Sequence, residues 1–566
     1  MSLLDEAQRI AASFDFGPDD LRKNVQEFIR QMREGLQKPN QTMSQIPTYV
    51  TSVPNGTEKG LFLAVDLGGT NFRVCSIQLH GNSSFTLTQS KRAIPQELMV
   101  AKTAKELFAY LARQIEIFLK THHTEHFEAH VRRRLTMSAD EGYRDENIFR
   151  LGFTFSFPVQ QIGINRGTLI RWTKGFDIED AIGKDVCVLL QTEIDALKLP
   201  VRVAALVNDT VGTLMARSYA SPGKTGTFLG AIFGTGTNGA YMEKLSKIKK
   251  LTGVEDGAEF DSSTGEMIVN TEWGSFDNGL RVLPTTEFDR QLDEESVNPG
   301  IQMFEKRVSG MFLGEILRRA IVRLIESPKA GLFKDADSRE NDIHSTTTIA
   351  EDSALYKQWG IDTSFLSIVQ GDHSPGLRLT RQSLDRDLGV SAASLEDAQA
   401  VRALVTAIGK RSARLGAVAI GAVIIATDKL GRSTSTSPSL STSDPAAPKS
   451  IQEIAQDVKE VHLAQAAHAA ASKLQASAAP LVDAPPHIPS SSDLPSANEG
   501  EGGEAEPVDI GVDGSLIEFY PGFEDDLREA LREIPEIGPA GEKRIRIGIA
   551  KDGSGVGAAL IALVAG

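Results

Sequence analysis

The apolar run Val203-Ala204-Ala205-Leu206-Val207 delivers Asn208 and Asp209 to the point where a helical pattern over residues 211–219 begins. A carboxylate at such a junction has two uses. It can cap the helix by accepting from unpaired backbone N–H groups, or it can take the proton of a hydroxyl that attacks phosphorus. The junction alone leaves both open, so other polar residues must decide. Ser156 ends another apolar stretch, and Thr173 and Lys174 follow in Arg171-Trp172-Thr173-Lys174-Gly175-Phe176. Glu272 stands in Asn270-Thr271-Glu272-Trp273-Gly274, and Glu305 comes shortly after Pro299-Gly300. Taken singly, each glutamate reads as a solvated surface charge. Gathered in a cleft with Asn208 and Asn238, they would supply the donors and acceptors that a ring of hydroxyls requires.

Three glycine-rich turns offer a place for an anion. Asp66-Leu67-Gly68-Gly69-Thr70-Asn71 ends a strand pattern, with Arg73 just beyond as a charge-assisted phosphate partner. Gly234-Thr235-Gly236-Thr237-Asn238-Gly239 repeats that chemistry, and Asp552-Gly553-Ser554-Gly555-Val556-Gly557 precedes an apolar helix whose N-terminus favours negative charge. Any one of these is explained equally well as a tight turn with no ligand. Three at strand ends point to a phosphate binder. No G-x-x-x-x-G-K-[ST] loop occurs and no turn makes a convincing dinucleotide fingerprint, so the binder is of another kind.

The elements that must hold these residues alternate. Strands are expected over 61–66, 153–157, 201–207 and 228–233, and helices over 101–120 and 186–197, which is an α/β architecture. Leu21, Val25, Phe28, Ile29, Met32 and Leu36 repeat at helical spacing after Gly17-Pro18 and predict a helix that packs on the body. Two stretches echo each other: LFLAVDLGGTNFRV from Leu61 and FLGAIFGTGTNGAY from Phe228 each read as strand, glycine turn with Thr-Asn, and strand. Two related half-domains facing one ligand would explain the echo. The apolar run 415–427 is too short and too rich in Ala and Gly to cross a bilayer and predicts a buried helix. Residues 545–566 again read as strand, glycine turn and apolar helix.

The chain of 566 residues is long enough for two domains, and its net charge of −15 argues against nucleic acid or acidic lipid as a partner. Two cysteines, Cys75 and Cys187, are too few for a disulfide scaffold and fit a reducing compartment. The amphipathic stretch 1–16 lacks the apolar core of a signal peptide. Residues 432–507 turn abruptly to Ser, Pro, Ala and Glu, a composition that buries too little apolar area to offset ordering entropy, and read as a disordered insertion. Ile451, Ile454, Val458 and Val461 within it hint at a short helix.

These segments resemble the eukaryotic hexokinase family, and most of all its fungal glucokinase members. The resemblance rests on LAVDLGGTNFRV from Leu63, LGFTFSFP from Leu151, INRGTLIRWTKGFDI from Ile164, ALVNDTVGTL from Ala205, IFGTGTNGAYME from Ile232, NTEWGSFDN from Asn270, SGMFLGEILR from Ser309, VDGSLIEFYPGF from Val512 and KDGSGVGAALIA from Lys551. They run in the family's order over almost the whole chain outside the insertion. The resemblance implies a duplicated, actin-like (ribonuclease H-like) α/β ATPase fold with a small and a large domain around a central cleft. On that pattern, residues 1–48 pack as a helical segment on the large domain, 49–208 form the small domain and 209–431 the large one. Residues 508–566 complete the large domain with nucleotide-side elements.

The implied reaction is ATP-dependent phosphorylation of glucose, and of mannose and fructose, at the 6-hydroxyl. Asp209 is the expected base, with Lys174 and Arg73 stabilising charge. Ser156, Thr173, Lys174, Asn208, Asp209, Asn238, Glu272 and Glu305 would surround the sugar. Asp66, Gly68, Gly69, Thr70, Asn71, Arg73, Thr235 and Gly236 would surround the phosphates, and Gly514, Ser515, Gly553 and Ser554 the nucleotide. Asp66 would stand in the outer shell of Mg2+, through water. The protein is expected in the cytoplasm as a monomer or weak homodimer, with no nucleic-acid or membrane partner. Val159-Gln160-Gln161 after Pro158 departs from the Ala-Ser of many fungal hexokinases and leans towards the glucokinase branch. A sugar sensor on the same scaffold would carry a damaged base or phosphate turn, and an actin- or chaperone-like ATPase gives no reason for the sugar-shell residues.

Overall fold

Helices α1 (Leu3–Ala12) and α2 (Pro18–Gln37) come first, followed by the short strand β1 (Ile46–Pro47). Strands β2 (Lys59–Leu67), β3 (Asn71–His80) and β4 (Phe85–Ala93) form a meander, and helix α3 (Ala104–His122) leads towards β5 (Phe149–Phe155). The ribbon β6 (Val159–Gly163) and β7 (Arg166–Leu169), helix α4 (Val186–Ala196) and strand β8 (Val201–Val207) complete this part. Helix α5 (Asp209–Ala220) then carries the chain to β9 (Leu229–Phe233), β10 (Thr237–Lys244) and β11 (Glu266–Asn270). Helix α6 (Gly310–Glu326), the paired short strands β12 (Thr348–Ile349) and β13 (Val390–Ser391), and the long helix α7 (Leu395–Ala426) follow. Strand β14 (Val508–Asp513), helix α8 (Phe523–Glu533), strand β15 (Ile545–Ile549) and helix α9 (Gly553–Val564) end the fold. This computed structural model describes residues 2–68, 71–136, 148–172, 175–221, 226–251, 260–328, 331–334, 347–431, 506–550 and 552–565. Gly69, Thr70, Thr173, Lys174 and positions 432–505 of the expected insertion lie outside the described residues.

The first sheet runs β4-β3-β2-β5-β8, and the second runs β1-β11-β10-β9-β14-β15. In both, three antiparallel strands are followed by two parallel ones, so that apart from β1 the two sheets share one order. The sequence echo is this duplication: β2–β3 and β9–β10 are corresponding hairpins, which accounts for the α/β, actin-like class.

Alternation along the strands sorts the faces. Leu63, Val65 and Leu67 of β2 and Leu151, Phe153 and Phe155 of β5 join Leu107, Phe108 and Leu111 of α3 in one apolar cluster. Ala64 and Cys75 point the other way, into the larger core. Asp66 and Arg73, paired across β2 and β3, share the face of Ala64 and Cys75, and α9 lies against this sheet. Strands β14 and β15 extend the second sheet, but α9 packs on β2, β5 and β8 of the first.

Other boundaries moved for local reasons. Helix α3 starts at Ala104 rather than 101 because Thr103 and Glu106 form a capping box. Strand β5 begins four residues before the expected 153 and stops at Phe155, leaving Ser156 and Phe157 beyond it. The buried helix expected over 415–427 is the second half of α7, whose Ser394 and Asp397 make another capping box.

Helices α5 and α9 meet at backbone distance. A Cβ at Gly557 would stand 2.1 Å from the carbonyl oxygen of Gly212, and one at Gly212 would stand 2.5 Å from that of Gly553. Only hydrogen fits there. Farther along α5, Arg217 donates to Asp509 of β14 at 3.0 and 2.6 Å, and Thr227 completes the buried carboxylate at 2.8 Å. Gly557→Ala should therefore destabilise the protein by about 1–3 kcal/mol through overpacking, although alanine favours a helix by about 1 kcal/mol. Gly279→Ala, where nothing lies within 4 Å of the new methyl, should be near neutral; denaturant midpoints of the two variants compare them directly.

Candidate active site

Asn208, not Asp209, caps α5. Its Oδ1 accepts the Thr210 backbone N–H at 3.0 Å and the Thr210 hydroxyl at 2.5 Å. Asp209 is the first residue of the helix, and its Oδ1 accepts the same N–H at 2.9 Å. With the cap supplied by its neighbour, Asp209 is not needed for that purpose. Its negative charge is felt by two acids of the second sheet, Glu272 and Asp513.

Glu272 follows β11 with a left-handed backbone (φ 52°), a conformation that costs a non-glycine residue free energy and persists where the surroundings fix it. Its Oε1 accepts from Asn270 Nδ2 at 2.8 Å and Asn238 Nδ2 at 3.3 Å. Asn238 also donates to Asn270 Oδ1 at 2.8 Å, while its own Oδ1 accepts from the Thr271 hydroxyl and the Gly239 and Trp273 N–H groups. Burial raises the Glu272 pKa, the Asn270 bond opposes the rise, the Asp209 charge adds to it, and Arg171 and Asn238 oppose it. Asn270 is thus as much a part of this cluster as the residues that sequence reasoning chose. Its place two residues before Glu272 was the available signal.

Glu305 opens the helical turn Glu305–Val308 and accepts the N–H of Thr237 at 2.9 Å. It is therefore tied to the β9–β10 hairpin. The Gly234 and Thr235 carbonyls of that hairpin accept the first N–H groups of α6, from Gly310 at 2.7 Å and Met311 at 3.2 Å. Gly236 closes the hairpin by accepting from Gly234 N at 3.0 Å. Gly514 (φ 112°) ends β14 against it, where a Cβ would lie 2.7 Å from Gly234 N; Ser515 starts the next helical turn.

On the first sheet, Ser156 N donates to the Leu67 carbonyl at 3.2 Å, which sets Ser156 beside Gly68. Asn71 opens β3. Arg73 donates to Asp66 Oδ2 at 2.9 Å, to Asp552 Oδ1 at 2.6 Å and to Ser554 Oγ at 2.9 Å. Burial alone would lower the Arg73 pKa; Asp66 and Asp552 more than offset it, and the guanidinium lies above its ordinary value. Thr154 of β5 donates to the Ser554 carbonyl at 2.8 Å, and Gly553 abuts Gly212 of α5. The turn before α9 thus touches both the first sheet and the opening of the Asp209 helix. Gln161, in the segment that leans towards the glucokinase branch, spends its amide on the Thr48, Gly163 and Leu206 carbonyls.

Asp513 and Asp552 were not singled out from sequence, yet each directly precedes a glycine, Asp513 at the end of β14 and Asp552 as the N-cap of α9, much as Asp66 near the end of β2 stands two residues before Gly68. Burial pushes the Asp513 carboxyl up to about 6 from an ordinary 3.8; the Gly514 N–H opposes this, and Glu518, Asp209 and Asp552 add to it. The folded chain holds that proton more tightly than the unfolded one, so stability is lost as pH rises through about 6. Asp513→Asn should therefore raise the melting temperature more at pH 7.5 than at pH 5, as read by thermal unfolding in matched buffers.

Among the described residues, no group of three or more His, Cys, Asp or Glu side chains is assembled to hold a metal ion. The acids present offer hard oxygen donors of the kind Mg2+ takes, with water filling its remaining positions. No helix among the described residues is long and apolar enough to cross a membrane, and Cys75 and Cys187 are free and buried.

The chain is similar to known proteins over its whole length. Two hexokinase family models match residues 6–219 and 228–564. A glucokinase of Aspergillus niger is 54% identical over 100% of this chain and 97% of its own length. Glucokinase-1 of Saccharomyces cerevisiae is 37% identical over 100% of this chain and 98% of its own. Among solved structures, the hexokinase of Schistosoma mansoni complexed with glucose is similar with a TM-score of 0.69 and 30% identity, covering 99% of both chains. The chain belongs to the hexokinase family.

Proposed function

We propose that this protein is a glucokinase or hexokinase that transfers the γ-phosphoryl group of ATP to the 6-hydroxyl of glucose. The observation that supports this reading concerns Asp209: its helix is capped by Asn208, and its charge acts on Glu272 of the amide–carboxylate cluster and on Asp513 at the end of β14. Such a carboxylate accepts the hydroxyl proton as the oxygen attacks phosphorus, and the bond to ADP breaks on the far side. Asn208, Asn238, Glu272, Glu305 and Ser156 would sort the sugar hydroxyls, together with Thr173 and with Asn270, which shares the Glu272 oxygen. Buried acceptors of this kind discriminate because a missing or misplaced hydroxyl leaves them unpaired.

Asp66, Gly68, Gly69, Thr70, Asn71, Thr235 and Gly236 would line the phosphates, with Lys174 and Arg73 balancing charge, and Gly514, Ser515, Gly553 and Ser554 would lie by the nucleotide. Mg2+ would neutralise phosphate charge, held by nucleotide oxygens and by water against Asp66 and Asp513. The small domain, 49–208, would close on the large one over the sugar and exclude water as a competing acceptor. Mannose and fructose are proposed as further substrates. Two buried free cysteines support a cytoplasmic protein, and a monomer or weak homodimer is proposed.

A coupled assay of hexoses with MgATP tests the reading. Asp209→Ala should lower glucose turnover by about a hundredfold to ten-thousandfold with the fold intact, the usual contribution of a positioned base; near-normal turnover would refute the assignment. Glu272→Ala and Glu305→Ala should each raise the glucose KM strongly, and unchanged glucose saturation in both would remove them from the sugar site.

A further inference from the structure

We propose that Asp552 is a positioning residue for phosphoryl transfer: through Arg73 it holds Asp66, and so locks the β2–β3 phosphate hairpin to the turn that opens α9. The inference rests on the kinase reading above and assigns this residue a role within it.

Asp552 occupies the N-cap position of α9, where an aspartate ordinarily accepts helix N–H groups. Here no side-chain cap bond is made. One carboxylate oxygen turns instead to Arg73 Nη1 at 2.6 Å. The other, Oδ2, is buried and has no hydrogen-bond partner among the described residues, although a Cβ at Gly555 would lie only 3.1 Å from it. An orphaned carboxylate oxygen is costly, and in a native structure it calls for an explanation. Helix capping is not that explanation. The bond of the other oxygen to Arg73 fixes the carboxylate in this orientation, away from the helix N–H groups.

The backbone agrees. Asp552 has φ 53° and ψ 46°, a left-handed conformation that aspartate tolerates better than most side chains. Strand register places Arg73 opposite Asp66, so a single guanidinium spans a pair on the first sheet and a residue 479 positions later in the chain. Ser554 Oγ takes a further N–H. Three of the five N–H groups of Arg73 are thereby directed at protein oxygens, leaving its planar fork fixed in orientation. A carboxylate beside an expected triphosphate is unfavourable by simple repulsion. It is useful there if it fixes the cation and, through the cation, the acid on the other side.

The test uses the full-length protein and MgADP calorimetry alongside steady-state kinetics for Asp552→Asn, Arg73→Gln and the double variant. Asparagine suits the left-handed backbone and keeps an acceptor, so it removes charge with little change of shape. We expect Asp552→Asn to weaken MgADP binding and to lower kcat/KM for ATP by about tenfold, the scale of a close coupled pair, while the glucose KM moves less than about twofold. In the Arg73→Gln background the same substitution should add almost nothing. A loss that is fully additive with Arg73→Gln, or one that falls equally on glucose and ATP, would overturn the proposal, since a merely structural role gives those results. Failure of the unaltered protein to phosphorylate glucose would count against the kinase reading instead, and MgADP titrations of the four proteins would still decide the Asp552–Arg73 coupling.

Discussion

The contact between α5 and α9 is the constraint on which the site depends. One helix lies on the second sheet, the other on the first, and they touch where Gly212 and Gly557 leave no room for a side chain. Because the contact falls in the first turns of both helices, it sets the distance between Asp209 and the Gly553-Ser554 turn. The Arg217–Asp509 pair anchors the far end of α5 to β14, so the helix cannot pivot without breaking a buried ion pair. Two sheets built to the same strand order are thereby joined through one close-packed seam.

Charge is distributed unevenly around that seam. Asp66, Asp209, Asp513 and Asp552 gather acid where a polyanion is expected, and among the described residues the guanidinium of Arg73 pairs with two of them. Burial raises the pKa values of Glu272 and Asp513, and the charge of Asp209 adds to both, with Glu518 and Asp552 adding further at Asp513. Perturbed carboxyls of this sort cluster at functional sites. Here both feel the charge of Asp209, one by the amide cluster and one at the end of β14.

Much of this was legible in the residues themselves. The repeated strand–glycine turn–strand pattern announced both hairpins, and the apolar strand before Asn208 announced the helix junction. What stayed hidden depended on long-range geometry. Nothing near residue 553 reveals that the last helix returns to the first sheet, because that choice is made by packing against Gly152, Thr154 and Gly212. Asn270 was passed over because its importance comes from sharing one Glu272 oxygen with Asn238. Asp552 stands out only once its carboxylate is seen to turn from the helix N-terminus to Arg73. That Asn208 rather than Asp209 supplies the cap is shown by side-chain direction, which spacing does not encode.

The Asn208 amide limits what a bound molecule can present to it. Its oxygen is saturated by Thr210, which supplies both an N–H and an O–H, so only the NH2 end remains to meet a partner. A hydroxyl brought to that NH2 would receive a hydrogen rather than give one, and its own proton would have to go to another group, such as a carboxylate next along the chain. The polarity of any such contact would then be dictated by the need to finish a helix.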